Sequence, residues 1–155
     1  MHITNLLSQY FGKFAKKEFP RPIQELINGS YTKFMKLDLK EFKSSKHYKS
    51  LNELFTRDLI IKREIDSSKD IFISPTDSLI TECGKLKNDT ALQIKGMEYS
   101  VEELLTYYCR DNFSKVENGD FMNFYLSPKD YHRYHSPVDF KLKKLIHVPG
   151  KLYPV

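Results

Sequence analysis

Near residue 66 the spacing of apolar residues changes from helical to strand-like, and this fixes the order in which secondary structure can form. Ile3, Leu6, Leu7, Tyr10, Phe11 and Phe14 follow the i, i+3, i+4, i+7, i+8, i+11 spacing of one helix face. Lys13, Lys16 and Lys17 crowd the last turn of that helix and complement its dipole. Pro20-Arg21-Pro22 breaks it, and a second helix is predicted from Pro22, with Ile23, Leu26, Ile27, Tyr31, Phe34 and Met35 on one face. Ser50-Leu-Asn-Glu53 has the form of a capping box and opens a short helix through Phe55 and Arg57. Beyond residue 66, Ile71–Ile73, Leu79–Cys83, Ala91–Ile94, Phe121–Leu126 and Leu142–Val148 read as strands. Turn signals at Pro75–Ser78, Gly96 and Pro149-Gly150 punctuate them. A second capping box, Ser100-Val-Glu-Glu103, inserts a helix carrying Val101, Leu104, Leu105 and Tyr108. The predicted class is α+β: N-terminal amphipathic helices, then a mostly antiparallel β-rich region with one inserted helix.

A chain of 155 residues is long enough for one domain with a real core, burying about 70% of its unfolded surface. Within it we distinguish residues 1–66, helical and basic, from residues 67–155, a β-rich scaffold. The net charge of +5 belongs to the first region, where 13 Lys/Arg face 8 Asp/Glu; the second holds 12 of each. That surplus suits an anionic surface, lipid or nucleic acid, or is simply a solvated lysine face. Nucleic acid is disfavoured, because the basic surplus is confined to the helical region and no recognised binding motif accompanies it. No apolar run approaches the ~20 residues needed to span a bilayer, and the N-terminus lacks a signal-peptide core. Cys83 and Cys109 follow no metal or redox spacing, which favours a reduced chain facing the cytosol over a disulfide.

The chemistry concentrates in Phe124-Tyr-Leu-Ser-Pro-Lys-Asp-Tyr-His-Arg-Tyr-His-Ser-Pro137. Prolines bound the histidine pair and bias it toward an extended or turn conformation at a strand end. His132 and His135 admit three readings. A metal pair lacks a third ligand at a recognisable spacing, so no metal is expected. A structural role, hydrogen-bonded at a strand end, is the common one. General acid–base work requires a carboxylate to fix the tautomer, and Asp77, in a turn between two predicted strands with apolar surroundings, is the natural partner. Taken alone, Asp77 is an ordinary turn aspartate.

Together these segments resemble the phosphatidylserine decarboxylase family, whose pattern is close to Tyr-His-Arg-x-His-x-Pro. Leu51-Asn-Glu-Leu-Phe-Thr-Arg57, Pro75-Thr-Asp-Ser78, Ile94-Lys-Gly-Met-Glu-Tyr-Ser100, the histidine segment and Val148-Pro-Gly-Lys-Leu-Tyr-Pro-Val155 occur in the family's order. The similarity covers roughly 48–155 well and the N-terminal helices loosely. Ser78 departs from the family's usual glycine. The resemblance implies that Asp77 and His135 are two members of an Asp-His-Ser triad, and that His132 is the second histidine, near the substrate. In that family the serine attacks the preceding backbone carbonyl, and β-elimination splits the proenzyme into two subunits. A covalent pyruvoyl (pyruvate) cofactor remains and decarboxylates phosphatidylserine to phosphatidylethanolamine through a Schiff base. The chain ends at Val155 without a Leu-Gly-Ser-Thr-like segment, so cofactor-binding residues are not assigned and the 155 residues alone are expected to be inactive. The implied partners are phosphatidylserine, an anionic membrane surface contacted by the N-terminal helices, a C-terminal α subunit and, in the family's manner, a second copy. The implied location is peripheral, on the cytoplasmic side of a bacterial inner membrane. The alternative is a non-catalytic phospholipid-binding module on the same scaffold.

Overall fold

Helix α1 spans Ile3–Lys16, with Lys13 and Lys16 in its last turn. Helix α2, Arg21–Met35, starts with Pro22 in its first turn and closes on Lys36, whose φ of 54° is left-handed. The N–H of Lys36 bonds back to Lys33 O, and that of Leu37 to Thr32 O at 2.9 Å, a Schellman-type closure with lysine where glycine is commoner. The computed structural model describes residues 3–86, 90–94 and 97–147. It divides into two compact units, Met1–Asp77 with Leu126–Val155, and Ser78–Tyr125.

In the first unit, Ala15, Tyr48, Leu51 and Leu54 form a small core, flanked by Ile27, Tyr31, Leu37 and Leu39. Helix α2 is fastened to it by amides as much as by hydrocarbon. Asn28, 0% exposed, donates to Ser45 O at 3.0 Å and Tyr48 O at 2.9 Å, and accepts from Gln24 Nε2 at 2.8 Å. The predicted apolar stripe of α2 is largely outward: Ile23, Leu26 and Phe34 are exposed, Phe34 to 80%. Leu6, Leu7, Tyr10, Phe11 and Phe14 of α1 are exposed as well. No helix among the described residues is long and apolar enough to cross a membrane. Helix α3, Leu51–Phe55, is capped by Ser50 Oγ, which accepts from Glu53 N. The Glu53 carboxylate completes only half a box, taking the Lys49 N–H at 2.6 Å.

In the second unit, β1 (Leu79–Lys85) pairs antiparallel with β4 (Asp120–Tyr125), with an irregularity between Ile80 and Glu82. β2 (Thr90–Ile94) pairs antiparallel with β3 (Met97–Ser100). Helix α4, Val101–Leu105, carries a complete Ser100–Glu103 capping box. A 3-10 turn at Tyr107–Asn112 and α5, Phe113–Val116, follow. Leu86 and Val101 pack with Leu105, Val116 and Phe121. The turn into β4 uses Asn118 at φ 57° and Gly119, where a Cβ would come within 2.8 Å of Val116 O. Cys83 and Cys109 are free.

The architecture is α+β, as the pattern predicts, with antiparallel sheets of two strands each. Two predicted strands do not form. Ile71–Ile73 is irregular, with one ladder-like bond, Ile73 N to Pro137 O at 3.1 Å; Pro75 and Pro137 remove the donors that would extend it. Residues 142–147 are also irregular, and no strand among the described residues pairs with them. Strand β3 was not anticipated, because its last residue reads as a helix cap. Helix α4 stops at Leu105, before the predicted Tyr108, where Thr106 takes a φ of 60°. Gly96, Val148 and Pro149-Gly150 lie outside the described residues.

Candidate active site

The histidine segment enters the first unit through a tight turn. Pro128 presets the backbone, Asp130 N bonds to Ser127 O at 2.8 Å, and the Asp130 carboxylate accepts from Ser127 N at 2.6 Å. The segment then runs extended, as its prolines predict. Two arginines tie it to the α3 region. Arg57 Nη2 donates to Lys129 O at 2.9 Å and Asp130 O at 3.2 Å. Arg133 Nε donates to Thr56 O at 2.9 Å, and its Nη1 pairs with Asp58 at 2.5 Å. The two most recognisable motifs of the chain thus hold each other in place.

His132 is half-buried, its ring centroid 3.9 Å from that of Phe55. Its Nδ1 lies 3.1 Å from Asp130 O. A carbonyl only accepts, so this nitrogen carries the proton and Nε2 of the neutral ring keeps its lone pair. Among the described residues nothing bonds that Nε2.

His135 is exposed, and its backbone N–H donates to Pro75 O at 2.7 Å. With the Ile73–Pro137 bond, this lays the 73–75 arm antiparallel to 135–137, so Asp77 follows directly from a segment paired with the histidine. The imidazole stacks on Tyr131, with centroids 5.6 Å apart at 18°, and His135 Nε2 lies 3.1 Å from the Tyr131 hydroxyl. The Asp77 carboxylate is bonded to Arg63, from Nη1 at 2.6 Å and Nη2 at 2.7 Å. Arg63 also donates to Glu41, from Nε at 3.0 Å and Nη2 at 2.6 Å. The surroundings of Asp77 are therefore ionic, not the apolar pocket expected. The Arg63 hydrogen bonds hold its pKa below the usual carboxylate value; burial opposes them, and the charges of Arg63, His135 and Arg57 assist. Asp77 and His135 are brought onto paired arms, while no hydrogen bond joins their side chains among the described residues.

Arg57 is 2% exposed, with its guanidinium 4.5 Å from the Phe42 ring centroid and with Nε and Nη1 buried without partners among the described residues. It lines a cleft of about 570 Å³ together with Lys36, Arg63, Asp77, Lys129 and Tyr131. The two histidines are not among the lining residues. No group of three or more His, Cys, Asp or Glu able to hold a metal occurs among the described residues. Sequence reasoning missed Arg63, Glu41 and Tyr131. Tyr131 lay within the histidine motif and was readable there; Glu41 and Arg63 belong to no short pattern.

Comparison with known proteins agrees with the motifs. Residues 51–155 match the family model for phosphatidylserine decarboxylase. The chain is 47% identical over 154 residues to a phosphatidylserine decarboxylase proenzyme of Helicobacter pylori, covering 99% of this chain and 56% of that protein. It is 48% identical over 162 residues to the Campylobacter jejuni proenzyme, covering 100% and 58%. With the Escherichia coli proenzyme it shares 38% over 138 residues, covering 86% and 42%. The chain spans about half the length of the curated relatives it matches.

Proposed function

Because the chain belongs to the phosphatidylserine decarboxylase family, we propose that it supplies the acid–base residues of an enzyme that converts phosphatidylserine to phosphatidylethanolamine and CO2, matured by self-cleavage. The observation that carries this reading is the paired backbone of 73–75 and 135–137, with Asp77, its pKa lowered by Arg63, two residues beyond the bond from His135 N to Pro75 O. In self-cleavage, a ring nitrogen of His135 takes the hydroxyl proton of a serine supplied by a C-terminal α-subunit segment, and Asp77 stabilises the resulting imidazolium. The pyruvoyl group formed from that serine supplies the electron sink for loss of CO2. The residues present fit such a group: His132 keeps Nε2 open to hold or return a proton, while Asp130 O fixes its tautomer. Lys36 and Lys129 have no ion-pair partner among the described residues; five basic groups against Asp38, Glu41, Asp77 and Asp130 leave the cleft lining at a net charge of +1, which favours an anionic headgroup weakly.

The exposed aromatic and aliphatic faces of α1 and α2, beside Lys13, Lys16 and Lys17, suit a helix lying in the interface of an anionic membrane. The exposed faces support peripheral contact with an anionic surface; the cytoplasmic side of a bacterial inner membrane, phosphatidylserine as substrate and a second copy as partner belong to the proposal through the family. The same surface would also serve a lipid-binding module without chemistry. In the full-length protein, His135→Ala should abolish conversion to two subunits on a denaturing gel, and Asp77→Asn should slow it. Normal conversion in His135→Ala would overturn the triad; lipid binding with no headgroup conversion by the parent would leave the binding module.

A further inference from the structure

We propose that Arg63 is a positioning residue for the acid–base pair: its guanidinium holds Asp77 against the His135 arm, and Glu41 gives it a second seat when Asp77 turns to the imidazole. This rests on the assignment of Asp77 and His135 above.

The geometry is that of a shared fork. Arg63 uses the Nε/Nη2 edge on Glu41 and the Nη1/Nη2 end on Asp77, four bonds of 2.6–3.0 Å. A lysine, as a point charge, cannot hold two carboxylates in one plane this way. The side chains of Arg63, Glu41 and Asp77 are 34%, 35% and 40% exposed, so the cluster adds little to stability; its value lies in placement and charge. Each carboxylate oxygen has two lone-pair directions, so Asp77 keeps directions free for a second donor while it accepts from Arg63. Glu41 keeps the guanidinium satisfied if Asp77 turns away from it. Arg63 also reaches the histidine by a second route. Its guanidinium lies 5.8 Å from the Tyr131 ring centroid, and Tyr131 stacks on His135 and meets its Nε2. One cation thus braces both members of the pair.

Two carboxylates against one guanidinium leave the trio at a net charge of −1, with Arg57 and His135 as the other charged or titratable groups acting on Asp77. Arg63→Gln makes the trio −2 and should make the site hold protons more tightly; Glu41→Gln makes it neutral and should do the reverse. The test is the self-cleavage rate of the full-length protein as a function of pH, followed by gel or intact mass. Arg63→Gln should move the acid-side midpoint up by roughly half to one pH unit and slow cleavage near neutral pH by about tenfold. Glu41→Gln should move the midpoint down. Arg63→Lys should keep the parent midpoint, since charge is retained, but cleave more slowly because the fork is lost. Parent-like profiles in Arg63→Gln and Glu41→Gln, or shifts of both in the same direction, would overturn the proposal. If circular dichroism shows Arg63→Gln unfolded, Glu41→Gln and Arg63→Lys decide it: no downward shift in the first, or full parent rate in the second, overturns it. The underlying reading fails separately, by self-cleavage of His135→Ala.

Discussion

Arg57 is buried as deeply as the leucines around it, yet among the described residues only one of its three guanidinium nitrogens finds a partner, the carbonyls of Lys129 and Asp130. Burial lowers its pKa, and the charges of nearby Tyr48, Tyr31 and Asp130 oppose that shift. Removing it strips two carbonyls of their donor and opens a cavity under the histidine turn. Arg57→Ala should therefore destabilise the full-length protein by about 2–4 kcal/mol, read as a lower urea midpoint; an unchanged midpoint would show the arginine to be dispensable. Asp77 makes a different prediction. Its folded pKa is depressed, so its link to Arg63 contributes stability above roughly pH 4, where the unfolded carboxylate is ionised, and loses it as pH falls through the folded value. The urea midpoints of parent and Asp77→Asn should differ slightly near pH 7, the pair being part-exposed, and the gap should close as pH falls below the folded value. A gap that persists in acid would mean the carboxylate's charge is not what Asn removes. Asp77, His132 and His135 were legible because each sits in a short motif whose chemistry can be named. Glu41 and Arg63 were not, since the pairs they form lie 22 and 14 residues apart in sequence and leave no local pattern.

At the scale of elements, periodicity located the helices well but not the destination of their apolar faces. In α2 the buried positions are Gln24 and Asn28, because the 45–48 turn presents carbonyls that only a donor can satisfy. Asn28→Ala should leave both carbonyls without that donor, at about 2 kcal/mol in the same denaturation experiment, more than a surface substitution. The outward stripes of α1 and α2 predict binding. Phe11→Ser with Phe14→Ser should weaken sedimentation with anionic liposomes, and charge reversal at Lys13, Lys16 and Lys17 should weaken it and flatten its salt dependence. Parent-like sedimentation in both variants would exclude the bilayer as what these faces meet. Strands were read less well, since an apolar run shows that a segment is able to pair, and proline decides whether it does. Ile71–Ile73, hemmed by Pro75 and Pro137, manages a single rung.

At the scale of the molecule, the first unit is discontinuous in sequence: residues 78–125 are inserted between its two parts. A change of period shows where one kind of element gives way to another, but which segments pack together depends on contacts across many residues, and those leave no trace in local spacing. The bonds joining Ile73 to Pro137 and Pro75 to His135 are the clearest case. Both cross the insertion, so the amides of Ile73 and His135 should exchange hydrogen with similar opening free energies; widely different values would show the arms to be independent. Closing a loop from position 75 to position 135, some 60 residues, carries an entropic cost of roughly 3–4 kcal/mol, met only once the rest of the first unit is in place. On the ribosome those residues take roughly 3–12 s to synthesise at about 5–20 residues per second. A nascent chain that already carries Asp77 therefore has no His135 to set beside it, and for those seconds the Pro75 carbonyl waits without the amide that meets it in the folded unit.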